Sequence, residues 1–308
     1  MAEPVPAGAA ALRPAVGKGK GMLKRQRSGS VVCPSCGKLV GVNDERCLSC
    51  GRRNPGMWGF TSAFRRLGQD FGFTPAVIGG CAVLYVAALL LDPSGIRSTG
   101  VFSLLAPSTR SLFVLGASGS VPVFELGRWW TVLSASWLHG SLLHILFNML
   151  WVRQLAPATA EAYGPARMVI IYTVAGATGF LASSLVGHYL AFLPSFLGGA
   201  GFTIGASASI FGLLGAIVHY GRRRGSSAVG REALTWAVML ALFGFVMPGI
   251  DNWAHLGGFA GGYGMARVLD PWKEERVDHV VAAFVCLAAS ALAIVASVLT
   301  GFPALAGR

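Results

Sequence analysis

Apolar residues gather into seven stretches separated by polar connections rich in Gly and Pro. They run from about Pro75 to Leu91, Ser136 to Leu155, Met168 to Val186, Ser207 to Tyr220, Ala233 to Val246, Trp253 to Val268 and Val280 to Leu299. Apolar runs approaching 20 residues predict transmembrane helices, although several of these are short. Thr74 and Pro75 offer a cap and a first helical residue for the first span. From Asp92 to Arg128, apolar patches alternate with Pro, Ser and Gly. That segment is too long for a turn and too interrupted for a span, so it reads as an outer loop partly sunk in the lipid interface, with Trp129 and Trp130 at the boundary.

Composition agrees with the pattern. Of 308 residues, 54% are hydrophobic and only 12% charged, and 42 are glycine, which suits an all-α polytopic membrane protein and excludes an ordinary soluble enzyme. The formal net charge is +12, with about half of the Lys and Arg before residue 75, so the charge speaks of membrane orientation before nucleic acid. Arg153 and Arg167 flank one connection and Arg222, Arg223, Arg224 and Arg231 fill another, whereas residues 187–203 carry no Asp, Glu, Lys or Arg and residues 246–252 carry only Asp251. Basic loops resist export, which predicts a cytoplasmic N-terminus, an outer position for Ser207 and an outer C-terminus after seven spans. Residues 1–32 lack the apolar core of a secretory signal, and a multi-pass protein of a bacterial plasma membrane is expected.

Residues 1–32, rich in Ala, Pro, Gly and basic residues, predict a disordered arm that can touch anionic lipid. Residues 33–54 then carry two C-x-x-C knuckles, Cys33 with Cys36 and Cys47 with Cys50. Tetrahedral zinc takes four thiolates from two tight turns, and Gly37 and Gly51 follow the second cysteine of each pair, so a small zinc-ribbon-like module with a structural zinc is expected. Two disulfides are the alternative, disfavoured in reducing cytosol. Neither arm nor knuckle shows the aromatic stacking pattern of a nucleic-acid binder. The remaining divisions are a linker at 55–74, a membrane domain at 75–269, and a linker with the seventh span at 270–308.

Candidate chemistry centres on TIGASASIFGLLG, Thr203 to Gly215. Small neighbours Gly205, Ala206 and Ala208 leave the Ser207 hydroxyl uncovered at the head of a span, where free N–H groups and the helix dipole favour a developing oxyanion. Gly205, Ser209, Gly212 and Gly215 also suit plain helix packing. A near copy, GASGS at Gly116 to Ser120, runs instead into Pro122 and a charged segment. Polar residues within spans are costly unless they face a partner or cavity. The second span holds His144 and Asn148 on one helical face, preceded by His139. His255 opens the sixth span, followed by the overlapping pairs Gly257 with Gly261 and Gly258 with Gly262, which permit close approach of another helix. If that helix carries Ser207, a serine–histidine pair forms, in which the imidazole takes and returns the serine proton. Phe211, one turn from Ser207, is placed to pack on the imidazole, and His144 and Asn148 to donate to the oxyanion beside the Ser207 N–H.

From about Gly127 to Arg267 the sequence resembles the rhomboid family of intramembrane serine proteases. The resemblance rests on Arg128 with Trp129, His144-x-x-x-Asn148, Gly205-x-Ser207-x, and Ala254 with His255 and its glycine tail. It implies a six-helix core plus one C-terminal span, a Ser207 nucleophile, a His255 base and acid, His144 and Asn148 as oxyanion donors, no completing aspartate and no catalytic cofactor. It also implies single-span membrane proteins as substrates, cut near the outer end of their helix. Ala208 stands where family members commonly have a second glycine. A catalytically silent membrane-protein scaffold and a transporter are the competing readings. A silent relative would most simply lack Ser or His, and no clear internal repeat or buried carboxylate favours transport.

Overall fold

The computed structural model describes residues 25–33, 37–59, 70–194, 197–225, 227–247, 249–273 and 275–303. Most of the expected arm (1–24), Cys36 and residues 60–69 of the expected linker lie outside the described residues. The chain divides into two compact units, Met1–Arg66 and Leu67–Arg308.

The first unit contains a two-stranded antiparallel hairpin, β1 (Ser30–Val32) and β2 (Leu39–Gly41), with Val31 opposite Val40. β1 falls inside the stretch expected to be disordered. Its β-branched pair Val31 and Val32 suits a strand, and Val31 is buried with Cys33, Val40, Val42 and Cys47.

In the second unit the long helices occupy the seven expected stretches, with shifted ends. They are α1 (Phe73–Leu91), α4 (Leu142–Tyr163), α5 (Pro165–Tyr189), α6 (Ser207–Arg223), α7 (Ser227–Val246), α8 (Asn252–Val268) and α9 (Val277–Gly301). Between α1 and α4 lie the short helices α2 (Thr109–Leu115) and α3 (Thr131–Ser134), with single turns around them. Residues 92–128 are accordingly broken helical pieces and no span. Among the described residues, four helices are long and apolar enough to cross a membrane: α1, α5, α7 and α9.

Two expected boundaries are corrected by local chemistry. α1 begins at Phe73, not at a Thr74 cap: the Asp70 carboxylate accepts the N–H groups of Gly72 (3.1 Å) and Thr74 (2.8 Å), and left-handed Gly72 (φ 80°) turns the chain into the helix. The second span does not start at Ser136. Ser141 caps α4 by accepting the His144 N–H at 3.2 Å, which leaves His139 before the helix, and α4 continues through Pro157 to Tyr163. Gly164 (φ 94°) ends it and Pro165 opens α5 at once.

α8 is the centre of the packing, wedged between α6 and α5. A Cβ on Gly258 would strike the Ala208 backbone and one on Gly262 the Gly212 backbone, both in α6; Cβ atoms on Gly257 and Gly261 would strike Ala182 and Thr178 of α5. The two overlapping glycine pairs therefore serve two neighbours, not one. α9 packs on α5, α3 and α2. Near its start lies the buried Arg167, one of the basic residues flanking the α4–α5 connection. Its guanidinium donates to the carbonyls of Asp270 (3.1 Å) and Lys273 (2.7 Å) and to His279 Nδ1 (3.3 Å).

Candidate active site

Ser207 is the first residue of α6. The chain reaches it through Gly205, whose φ of 125° is a conformation that side chains rarely adopt. Gly205 is required for space as well, since a Cβ there would lie 2.7 Å from His144 Nε2 and 3.8 Å from Ser207 Oγ. His144 and the Ser207 hydroxyl thus border one small space. The Gly205 N–H donates to the Ala135 carbonyl at 2.9 Å, and Thr203 exchanges two backbone hydrogen bonds with Ser118, at 3.0 and 2.8 Å. GASGS is therefore the bracing partner of the Ser207 turn, a relationship that its resemblance to G-x-S-x conceals.

His255 lies in the first turn of α8, with Nε2 3.0 Å from Ser207 Oγ. The contact spans 48 residues of sequence and depends on the close α6–α8 approach that Gly258 and Gly262 allow. Phe211, one turn along α6 from Ser207, stacks on the His255 ring with centroids 4.1 Å apart and planes at 13°. His255 Nδ1 has no hydrogen-bond partner among the described residues. Asp251 caps α8 instead, accepting the Ala254 N–H at 3.0 Å.

Of the expected oxyanion donors, His144 is the better oriented. Its Nδ1 accepts the Gly140 N–H at 3.3 Å, so in neutral imidazole the proton is on Nε2, the atom facing Gly205. Asn148 Nδ2 donates to the His144 carbonyl at 2.8 Å, which ties one amide hydrogen to its own helix and leaves the second. His139 is buried edge-on to His144, ring centroids 5.1 Å apart. The Ala208 methyl packs among Ala135, Phe180 and Ala254, and Gly179 of α5 leaves room for it. Beside His255, which contributes to its wall, a cavity of about 700 Å³ is lined by Leu197, Phe211, Met247, Trp253 and Phe259 among others.

In the first unit, the sulfurs of Cys33, Cys47 and Cys50 lie within 4.8 Å of one another. The knuckles repeat one hydrogen-bond pattern. Cys33 N–H donates to Lys38 O and Cys47 N–H to Arg52 O, both at 2.8 Å; Gly37 N–H donates to Cys33 O at 3.0 Å and Gly51 N–H to Cys47 O at 2.8 Å. Gly37 and Gly51 take matching φ values of 72° and 75°.

Residues 126–272 match the family model described as a Rhomboid domain. The chain is 32% identical over 165 residues to rhomboid protease GluP of Bacillus subtilis, covering 53% of this chain and 30% of that protein. It is 32% identical over 174 residues to RHOMBOID-like protein 4 of Arabidopsis thaliana, covering 54% and 40%. Over 180 residues it is also 28% identical to inactive RHOMBOID-like protein 8 of Arabidopsis thaliana, covering 57% and 48%. The chain thus spans less than half the length of these relatives. Its four apolar helices and the matched domain make it a multi-pass integral membrane protein. Residues 126–272, just under half of the chain, thus form a rhomboid-family domain.

Proposed function

We propose that this chain is an intramembrane serine endopeptidase working through a Ser207–His255 dyad. The observation that carries the reading is the 3.0 Å Ser207 Oγ to His255 Nε2 contact at the N-terminus of α6, which joins nucleophile, base and helix-end N–H groups in one place. His255 removes the hydroxyl proton as Oγ attacks the scissile carbonyl, then returns it to the leaving amine. Water hydrolyses the acyl-enzyme by the same exchange. The Ser207 N–H, His144 Nε2 and the second Asn148 amide hydrogen stabilise the oxyanion, while Phe211 fixes the imidazole plane that a carboxylate fixes in a triad.

Substrates on this reading are single-span membrane proteins, cut near the outer end of the span after local unwinding, because a helical peptide bond is shielded by its own hydrogen bonds. The apolar cavity beside His255 supports an apolar polypeptide segment as ligand. The distribution of Lys and Arg supports a cytoplasmic N-terminus with Ser207 toward the outer face. The decisive experiment is cleavage of a single-span reporter: Ser207→Ala and His255→Ala are each expected to abolish it while leaving the protein inserted. Cleavage that survives Ser207→Ala overturns the reading.

For the first unit we propose a structural zinc held by Cys33, Cys36, Cys47 and Cys50. A zinc ion with Zn–S bonds of about 2.3 Å holds its sulfurs about 3.8 Å apart. The Cys33 and Cys50 sulfurs lie 3.8 Å apart, and the shared C-x-x-C spacing makes Cys36 the sequence counterpart of Cys50.

A further inference from the structure

α9 lies outside the matched rhomboid domain, yet its last two turns reach residues that brace the nucleophile turn. The face it presents to α2 and α3 is small. Ser290, Ala293, Ser297 and Gly301 are buried, a Cβ on Gly116 would lie 2.6 Å from Ser297 Oγ, and a Cβ on Gly301 would lie 2.8 Å from Val114 Cα. Onto this close junction Arg128 closes from the loop before α3. Its guanidinium donates to the Ser297 carbonyl at 2.8 Å and to the Phe113 carbonyl at 3.0 Å, lying 4.2 Å above the Phe113 ring. Trp130 Nε1 donates to Ser297 Oγ at 3.1 Å. A cation at a helix C-terminus answers both the exposed carbonyls and the negative end of the dipole.

From Arg128, hydrogen bonds lead to the segment that precedes Ser207, meeting it at Thr203 and at Gly205. The Arg128 carbonyl accepts Thr131 Oγ1 at 2.8 Å, and Thr131 Oγ1 reaches Ser118 Oγ at 3.4 Å. Ser118 is paired through its backbone with Thr203, four residues before the nucleophile. Ser134 Oγ donates to the Gly116 carbonyl at 2.8 Å, and the neighbouring Ala135 carbonyl accepts the Gly205 N–H at 2.9 Å. The segment leading into Ser207 is thereby attached at two points, Thr203 and Gly205, to residues 116–135, and α9 packs on those same residues.

We infer that α9 is a positioning element for the nucleophile: the Arg128–Ser297 junction holds residues 116–135 against Thr203 and Gly205, and so fixes Ser207 Oγ opposite His255. The inference rests on the protease reading above. Arg128 and Ser297 are positioning residues that touch no substrate. Displacing a catalytic group by about 1 Å can cost about 10²-fold in rate, so a loosened clamp is read in turnover before it is read in binding.

The test uses full-length protein in detergent or proteoliposomes and a serine-directed fluorophosphonate probe, with reporter cleavage in parallel. Ser297→Leu, which cannot fit against Gly116, and Arg128→Lys, which keeps the charge but not both carbonyl contacts, are expected to slow Ser207 labelling and lower kcat by about tenfold to 10²-fold. KM should change by less than about twofold, and Ser297→Ala, which retains the Ser297 carbonyl, should stay within about threefold of wild type. Rates are normalised to the folded fraction from thermal unfolding, and Arg128→Lys carries the test if Ser297→Leu does not fold. Wild-type rates in both variants, or losses that disappear on normalisation, overturn the inference and leave the protease reading intact. Absence of Ser207 labelling in the wild type overturns both.

Discussion

Phe211 lies flat on His255, with ring centroids 4.1 Å apart and planes inclined by 13°. His255 Nδ1 meets no hydrogen-bond partner among the described residues, so this stacked ring, together with the Ser207 hydroxyl, orients the imidazole. Stacked aromatic pairs contribute about 0.5–1.5 kcal/mol beyond their buried area. Phe211→Leu should therefore keep the core filled but lower kcat by roughly three- to tenfold. Steady-state cleavage of a reporter checks it, and an unchanged kcat would remove Phe211 from the proposed machinery.

Asn148 and His144 are expected to differ in weight. An oxyanion donor is typically worth about 10²- to 10³-fold in kcat. Asn148 already spends one amide hydrogen on the His144 carbonyl, whereas His144 Nε2 faces the space beside Gly205. Asn148→Ala should fall at or below the lower end of that range and His144→Ala toward the upper end. The comparison is made on kcat at saturating substrate, and a larger loss for Asn148→Ala would reverse the assignment of the principal donor.

The packing of α6 on α8 gives a prediction about stability. A Cβ on Gly258 would overlap the Ala208 carbonyl, and backbone cannot move aside as a flexible side chain does. Gly258→Val should separate the two helices, widen the Ser207–His255 contact and lower the midpoint of thermal unfolding, at a cost of about 1–3 kcal/mol or more. Gly264, in the same helix, meets nothing within 4 Å. Gly264→Ala should be neutral or slightly stabilising, because alanine is the better helix former by up to about 1 kcal/mol. Equal unfolding temperatures for the two variants would count against glycine-mediated approach as the reason the dyad forms.

The positions of the long helices were legible because apolar runs of this length have few other uses. Their ends were less so: Asp70 capping α1 from outside the helix, and Ser141 starting α4 six residues after the expected beginning, depend on single side-chain bonds that periodicity does not register. Ser207 and His255 could be paired from sequence because small residues surround one and glycines follow the other. The bracing could not. Ser118 lies 85 positions before Thr203, and Arg128 bonds a carbonyl 169 positions away, so neither partnership leaves a local trace. Arg167 was legible only as a basic residue flanking a connection, since a chain read without its fold gives no sign that the carbonyls of Asp270 and Lys273 converge on that guanidinium.

The N-terminal module offers a prediction independent of catalysis. So short a segment buries little, its apolar cluster being Val31, Val40 and Val42 around the cysteines, and cores of that size are ordinarily completed by a metal or disulfides. A Cys33–Cys50 sulfur separation of 3.8 Å is nearly twice a disulfide bond of about 2.05 Å. It matches two vertices of a zinc–thiolate tetrahedron. Purified full-length protein should therefore contain one zinc per chain by elemental analysis. Cys47→Ser should lose most of it and render residues 25–59 sensitive to protease, because metal affinity at such a site is folding free energy. Chelation should leave labelling of Ser207 by a fluorophosphonate unchanged, since the proposed dyad needs no metal. Zinc well below one per chain, or cysteines recovered as disulfides under non-reducing conditions, would refute the site.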